Sequence, residues 1–245
     1  MHDEILFRNE GGVASITINC PERGNRFSDE MTLKFTSRVK ESEDGARLII
    51  VRAEGDDFCL GRQPGGKRTG DALDRRRQGE AIFDCYAALR ESRIPVIGLV
   101  RGRAFGFGCA VAASCDLTLA EEDASFGLPE LAHNVMPGNA MSALVDRVSR
   151  KAITLLSYST RPVSAQDAMM MGIVSKVVPR DSLEQSLDEL VSGMLTMPQA
   201  AIEAVKEYVM TAPGLNSQAA VQFARYLHAT INSAREVQHN GKEPS

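Results

Sequence analysis

The chain reads as an α/β protein with largely parallel strands, and three observations predict it. Short β-branched runs of the buried type, RLIIVRAE and IPVIGLV, alternate with stretches of helical periodicity. Strands separated by helices imply crossover connections, which parallel neighbours need and antiparallel ones do not. With 245 residues and 43% hydrophobic content, the chain is long enough to close one sizeable core and shows no disorder signature.

The elements follow in order. VASITIN places Ile16 and Ile18 on one face of a half-buried strand. Ser28 begins a helical stretch, SDEMTLKFTSRVKESED, with a charged end and a stop at Gly45. RLIIVRAE is the next strand, followed by a polar, glycine-rich loop from Gly55 to about Gly70. DALDRRRQGEAIFDCYAALRES reads as the helix that leads into the strand IPVIGLV. Beyond the glycine-rich segment GRAFGFGCAVAASCD come two further strands, DLTLAEE and IVSKVVP. After Pro179 the pattern is helical only. DSLEQSLDELVSGML aligns Leu183, Leu187, Leu190, Val191 and Met194 on one face behind an Asp181/Glu184 capping-box pattern, and two more helical stretches follow. That apolar stripe must pack on the α/β body or on a neighbouring subunit. The expected division is a core over 1–190 and a helical region over 191–245.

Charge and cysteine content exclude several classes. Lys+Arg at 28 against Asp+Glu at 32 leaves a net charge of -4, which argues against a nucleic-acid footprint. The five cysteines are odd in number and lack metal-binding spacing, so they are expected reduced, with no metal. The N-terminal MHDEILFRNEGG has no basic stretch followed by an apolar run, and no apolar stretch reaches spanning length. A soluble, cytoplasmic protein without a membrane partner is expected.

The glycines between Gly102 and Asp116 admit three readings. Gly106 and Gly108 could serve tight packing where a strand turns into a helix. A dinucleotide fingerprint fails on spacing, because Val111 stands where its third glycine belongs. The third reading takes FGFGCAVAASC as a buried helix whose first amides, near Phe107, lack intrahelical acceptors and carry the positive end of the dipole. Glycines on both sides of Phe107 would let a carbonyl oxygen approach that amide, as an oxyanion hole requires. A second donor is offered by GDDFCLGRQP, where Gly61 precedes Arg62.

Four segments carry a resemblance: NRFS at 25–28, FCLGRQ at 58–63, PVIGLVRGRAFGFGCAVAASCDLTLAEEDASFGLPE at 95–130, and SAQDAMMMGIVSKVVP at 164–179. In order and spacing they resemble the crotonase superfamily of enoyl-CoA hydratases and isomerases, over most of residues 3–210. The resemblance implies a spiral of ββα units with a helical C-terminal oligomerisation region, a homotrimer or dimer of trimers, and an acyl-CoA thioester as substrate with no separate cofactor. It implies that the amides of Arg62 and Phe107 form the oxyanion hole. Gly61, Gln63, Gly106, Gly108, Ala110, His133 and Lys67 are then expected around the substrate.

Family hydratases carry two carboxylates. Register with the family puts Glu130, in FGLPE, at the second position and Ala110 at the first. Ala110 carries no proton, so Glu130 is expected to act as single acid and base. One carboxylate suffices for a proton shift between two carbons, and also for hydration if one held water supplies both hydroxyl and proton. Hydratase and isomerase therefore stay together, with a hydrolase or retro-aldol variant behind them, and a homologue that binds acyl-CoA without turning it over as the rival. An RNA-binding role is disfavoured by the acidic balance.

The remaining candidates have plainer roles. His133 could assist a water, but a loop histidine is ordinarily structural or exposed. Asn139, in PGN, is expected to cap a helix. Cys59 and Cys109 flank the hole as packing residues. Arg62 replaces a small residue and Gln63 the usual Asp. Lys67 and Arg68 could meet CoA phosphates, whereas Arg75, Arg76 and Arg77 read as a solvated helix face.

Overall fold

A computed structural model describes residues 3–63, 70–234 and 237–238. The strands are β1 (Ile5–Glu10), β2 (Val13–Ile18), β3 (Leu48–Ala53), β4 (Val96–Val100), β5 (Arg103–Phe105), β6 (Leu117–Glu121), β7 (Ser125–Gly127), β8 (Val163–Ser164) and β9 (Lys176–Val178). Six of them form one sheet in the order β1-β2-β3-β4-β6-β9. β1 and β2 pair antiparallel, and every later pairing in this sheet is parallel, as the alternation of strand and helix predicts. The other three strands form a second sheet, β5-β7-β8, in which β5 and β7 run parallel.

Helices cover both faces of the six-stranded sheet, which explains why β3 and β4 read as continuous apolar runs. Alternate residues of β3 go to opposite sides. Ile49 and Val51 join the main core, beneath α1 (Asp29–Ser42), α2 (Ala72–Glu91) and α3 (Phe107–Ser114). Leu48 and Ile50 join Ile97, Leu99 and Leu119 in a second cluster, closed by Leu183 and Leu187 from the later helix over Leu183–Thr196. That helix buries its stripe on the body of its own chain, with Leu190, Val191 and Met194 half-buried against the same cluster. Residue 190 lies within it.

Local signals set the helix starts. The Ser28 side chain accepts from Met31 N–H and so caps α1. Asp71 forms a capping box with Asp74 at the start of α2. Two expected caps are not used. The helix over Leu183–Thr196 has Ser182 at its N-cap without a side-chain cap bond, because Asp181 adopts a left-handed φ of 67° and turns the chain before the helix begins. Asn139 lies inside α4 (Gly138–Leu144), which starts from Pro137, and its carbonyl accepts from the Ser142 hydroxyl. Between α4 and Ser182 lie α5 (Arg150–Ser159) and α6 (Ala165–Met171), so the helix over Leu183–Thr196 is α7.

The end of the chain is α8 (Gln199–Thr211) and α9 (Ser217–Asn232). The buried residue of α8 is Lys206, whose ammonium lies 2.7 Å from an Asp116 carboxylate oxygen and donates to the carbonyls of Leu89 and Ile94. Val205, Val209, Val221 and Tyr226 are exposed on these two helices, and Leu215 is exposed between them. Among the described residues no helix is long and apolar enough to cross a membrane.

Candidate active site

Three chain segments run parallel and deliver their ends to one place. Cys59 pairs with Ala104 of β5, with Cys59 N–H donating to Arg103 O and Phe105 N–H to Cys59 O. On its other side β5 pairs with β7, and Gly106 N–H donates to Gly127 O at 2.9 Å. The segments therefore emerge together as Gly61-Arg62, Gly106-Phe107 and Pro129-Glu130. The carboxyl ends of parallel strands are where open α/β sheets place ligands.

The approach is close enough to exclude side chains. A Cβ on Gly106 would lie 2.9 Å from Glu130 Oε1 and 3.9 Å from Gly61 Cα, and Gly106 has a φ of 53° that L side chains rarely adopt. A Cβ on Gly108 would lie 2.2 Å from Cys59 O. Gly108 thus serves packing between the two segments, as the plainer reading of the glycines has it. Gly106 sits between Gly61 and the Glu130 carboxylate.

Gly106 is the N-cap of α3, and all eight helical residues are buried. Its first amide, Phe107 N–H, carries the positive end of the helix. The Arg62 amide faces away from Phe27, because that bridge uses Phe27 N–H to Gly61 O and Gln63 N–H to Phe27 O. Among the described residues neither Arg62 N–H nor Phe107 N–H has a backbone acceptor outside its own helix or strand.

The side chains of these two residues touch. The Arg62 guanidinium lies over the Phe107 ring, 5.7 Å from its centroid, and is held by Asp29 and Thr32 of α1. Phe107 also meets the rings of Phe27 at 4.8 Å and Tyr86 at 5.4 Å. Arg62 is therefore clamped rather than free. Gln63, half-buried, holds Arg26 O through its amide, and an open cleft of about 590 Å³ lined by Arg23, Arg26, Leu60 and Gln63 adjoins it.

Glu130 opens a short 3-10 turn over Glu130–His133. Burial pushes its carboxyl above the ordinary value, against the opposing effects of its own amide and of His133, and Oε2 is buried without a protein partner. His133 itself is exposed. Ala110 is fully buried one turn into α3, and its amide closes the helix onto Gly106 O at 3.0 Å. Cys59, Cys85, Cys109 and Cys115 are buried, and desolvation pushes each thiol up to about 12. None is a poised nucleophile. Arg76 and Arg77 are 78% exposed, as a solvated face requires. Lys67 and Arg68 lie outside the described residues. Among the described residues no cluster of metal-ligating side chains occurs.

Sequence reasoning passed over Tyr86, Asp29 and Thr32. Tyr86 had a visible signal. Ile82, Cys85, Tyr86 and Leu89 follow the helical spacing of a buried face, and Tyr86 carries a hydroxyl into it. Nothing in the pattern around Asp29 and Thr32 announces a contact thirty residues away.

A parallel α/β spiral whose two glycine turns and one carboxylate converge defines a class of fold and site together, and comparison places the chain within it. The chain belongs to the Enoyl-CoA hydratase/isomerase family, which it matches over residues 8–243. It is 29% identical over 201 residues to mouse Enoyl-CoA hydratase domain-containing protein 3, mitochondrial, covering 80% of this chain and 66% of that protein, just under two thirds of its length. It is 27% identical over 246 residues to the 2,3-dehydroadipyl-CoA hydratase of Escherichia coli, covering 97% and 93%. A solved enoyl-CoA hydratase from Mycobacterium smegmatis superimposes with a TM-score of 0.92 at 23% identity, over 100% of this chain and 99% of that one. The expected crotonase-like fold is thereby shown.

Proposed function

We propose that this protein processes acyl-CoA thioesters, with the thioester oxygen received by the Arg62 and Phe107 amides and Glu130 as the acid and base. The observation that carries the reading is the position of Gly106. Its missing side chain lets Glu130 Oε1 and the Gly61 backbone both approach the residue before the first amide of α3.

The chemistry follows from where charge develops. Removing a proton from, or adding water across, an α,β-unsaturated thioester passes through an enolate whose charge gathers on the former carbonyl oxygen. Two fixed amides stabilise that oxygen without reorganising, and loss of one such donor costs about 3 kcal/mol of barrier. Glu130 is suited to exchange a proton with carbon, since burial raises its pKa toward neutrality. A single carboxylate serves an isomerase directly, and a hydratase with a held water. The relatives named as hydratases favour the second. Arg23 and Arg26 beside Gln63 suit the phosphates of CoA. The exposed apolar residues of α8 and α9 suit a homotrimer or dimer of trimers.

A second reading has its own observation. Ala110 is fully buried and brings no ionisable group, so a homologue that binds acyl-CoA without turnover remains the alternative. Turnover of crotonyl-CoA and of a 3-enoyl-CoA separates these readings. Glu130→Gln is expected to lower the active reaction about 10²- to 10⁴-fold. Unchanged turnover removes Glu130 from the mechanism, and acyl-CoA binding without turnover of any substrate supports the alternative.

A further inference from the structure

We propose that Tyr86 is the second polar group of this site, holding the water that Glu130 activates and supplying the contact that Ala110 lacks. The inference rests on the acyl-CoA reading above and extends it to a residue of α2.

Tyr86 is 3% exposed, and its ring packs at 5.4 Å and 34° against that of Phe107. Phe27 packs on the same ring, which pins Phe107 and Tyr86 together. Glu130 lies against Gly106, the residue before Phe107. The phenol and the carboxyl thus flank the same two residues at the head of α3, one from α2 and one from the turn after β7.

Each group presents an oxygen without a protein partner. A buried tyrosine hydroxyl ordinarily finds a hydrogen bond, and among the described residues none meets that of Tyr86. Glu130 Oε2 is buried and unpaired. An unpaired buried carboxylate oxygen beside Gly106 and a phenol without a protein partner against Phe107 point to a shared polar ligand at this turn. Burial holds the phenol well above 10, and negative charge on Glu130 pushes it the same way. Tyr86 therefore stays protonated. It can accept one hydrogen bond and donate another, but it does not serve as a base.

The step balances with water as the only co-reactant. Water gives one hydrogen to Glu130 and points the other at the phenol oxygen. As its oxygen bonds to Cβ, the π pair of the double bond moves toward the thioester and the oxyanion forms. Glu130, now carrying the water proton, returns it to Cα. Tyr86 keeps its own proton throughout. A proton shift or exchange at Cα needs no water in this position.

That difference is the test. Tyr86→Phe keeps the ring on Phe107 and removes only the hydroxyl. With crotonyl-CoA we expect hydration kcat to fall roughly 10- to 100-fold, with KM within about twofold of wild type. Exchange of the α-protons of butyryl-CoA with D2O, followed by NMR, should persist, whereas Glu130→Gln should abolish both reactions. Hydration at the wild-type rate in Tyr86→Phe overturns the proposal, as does equal loss of hydration and exchange, which marks a packing wall. A wild-type protein that exchanges α-protons but never hydrates also overturns it. A wild-type protein inactive in both assays brings down the acyl-CoA reading itself.

Discussion

A carboxylic acid set beside the first turn of a helix feels two opposing influences, and at Glu130 burial is the stronger. The dipole of α3 favours the anion, yet desolvation raises the pKa above the ordinary 4.5. The folded state therefore binds more protons than the unfolded state between 4.5 and the raised value. Stability attributable to this group is fully present below the unfolded pKa and is lost as pH rises through the folded one. Glu130→Gln has no such titration. Its stability relative to wild type should increase as pH climbs through that interval and then level off, as urea midpoints at a series of pH values will read. A variant that loses stability relative to wild type as pH climbs contradicts the assignment. The placement of Glu130 beside Gly106 was legible from its neighbours in FGLPE, and that of Arg62 from the glycine before it. The clamp of Asp29 and Thr32 on Arg62 was not, because contacts between a loop and a helix thirty residues earlier leave no local period.

Among the elements, the strands of the large sheet were legible because β-branched runs bounded by turns announce them. The small sheet was not. β5 and β7 have three residues each and β8 two, too few to display alternation, yet β5 and β7 carry the candidate site. The attachment of α8 was hidden for a different reason, since an isolated lysine on a helix reads as solvent-facing. Lys206 is instead buried, its pKa lowered by desolvation and supported by Asp116. Lys206→Met would leave Asp116 as an uncompensated buried charge, at a cost of about 3–5 kcal/mol. The double variant Lys206→Met/Asp116→Asn should recover part of that loss, giving a coupling energy in a denaturation cycle. Additive losses would mean that the pair does not tether α8.

For the whole molecule, topology was the most legible property. Parallel order follows from alternating strands and helices, and the two faces of β3 divide into two clusters as a doubly covered strand should. The path of the chain through the small sheet was less accessible, since it depends on turns such as Gly102. There a Cβ would lie 1.9 Å from Asp56 O, so the backbone of one turn occupies the side-chain space of another. Such a contact is a property of the assembled chain, invisible in any single stretch of it.

The five buried thiols follow from the same assembly, and they have a practical use. They are distributed from Cys20 to Cys115, through both glycine turns, α2 and the end of α3, so alkylation can proceed only where the interior opens. Native protein should take up no iodoacetamide during brief exposure, and denatured protein should take up all five equivalents. Mass spectrometry of partly modified chains would then rank the regions by the ease with which each comes apart, without any introduced label.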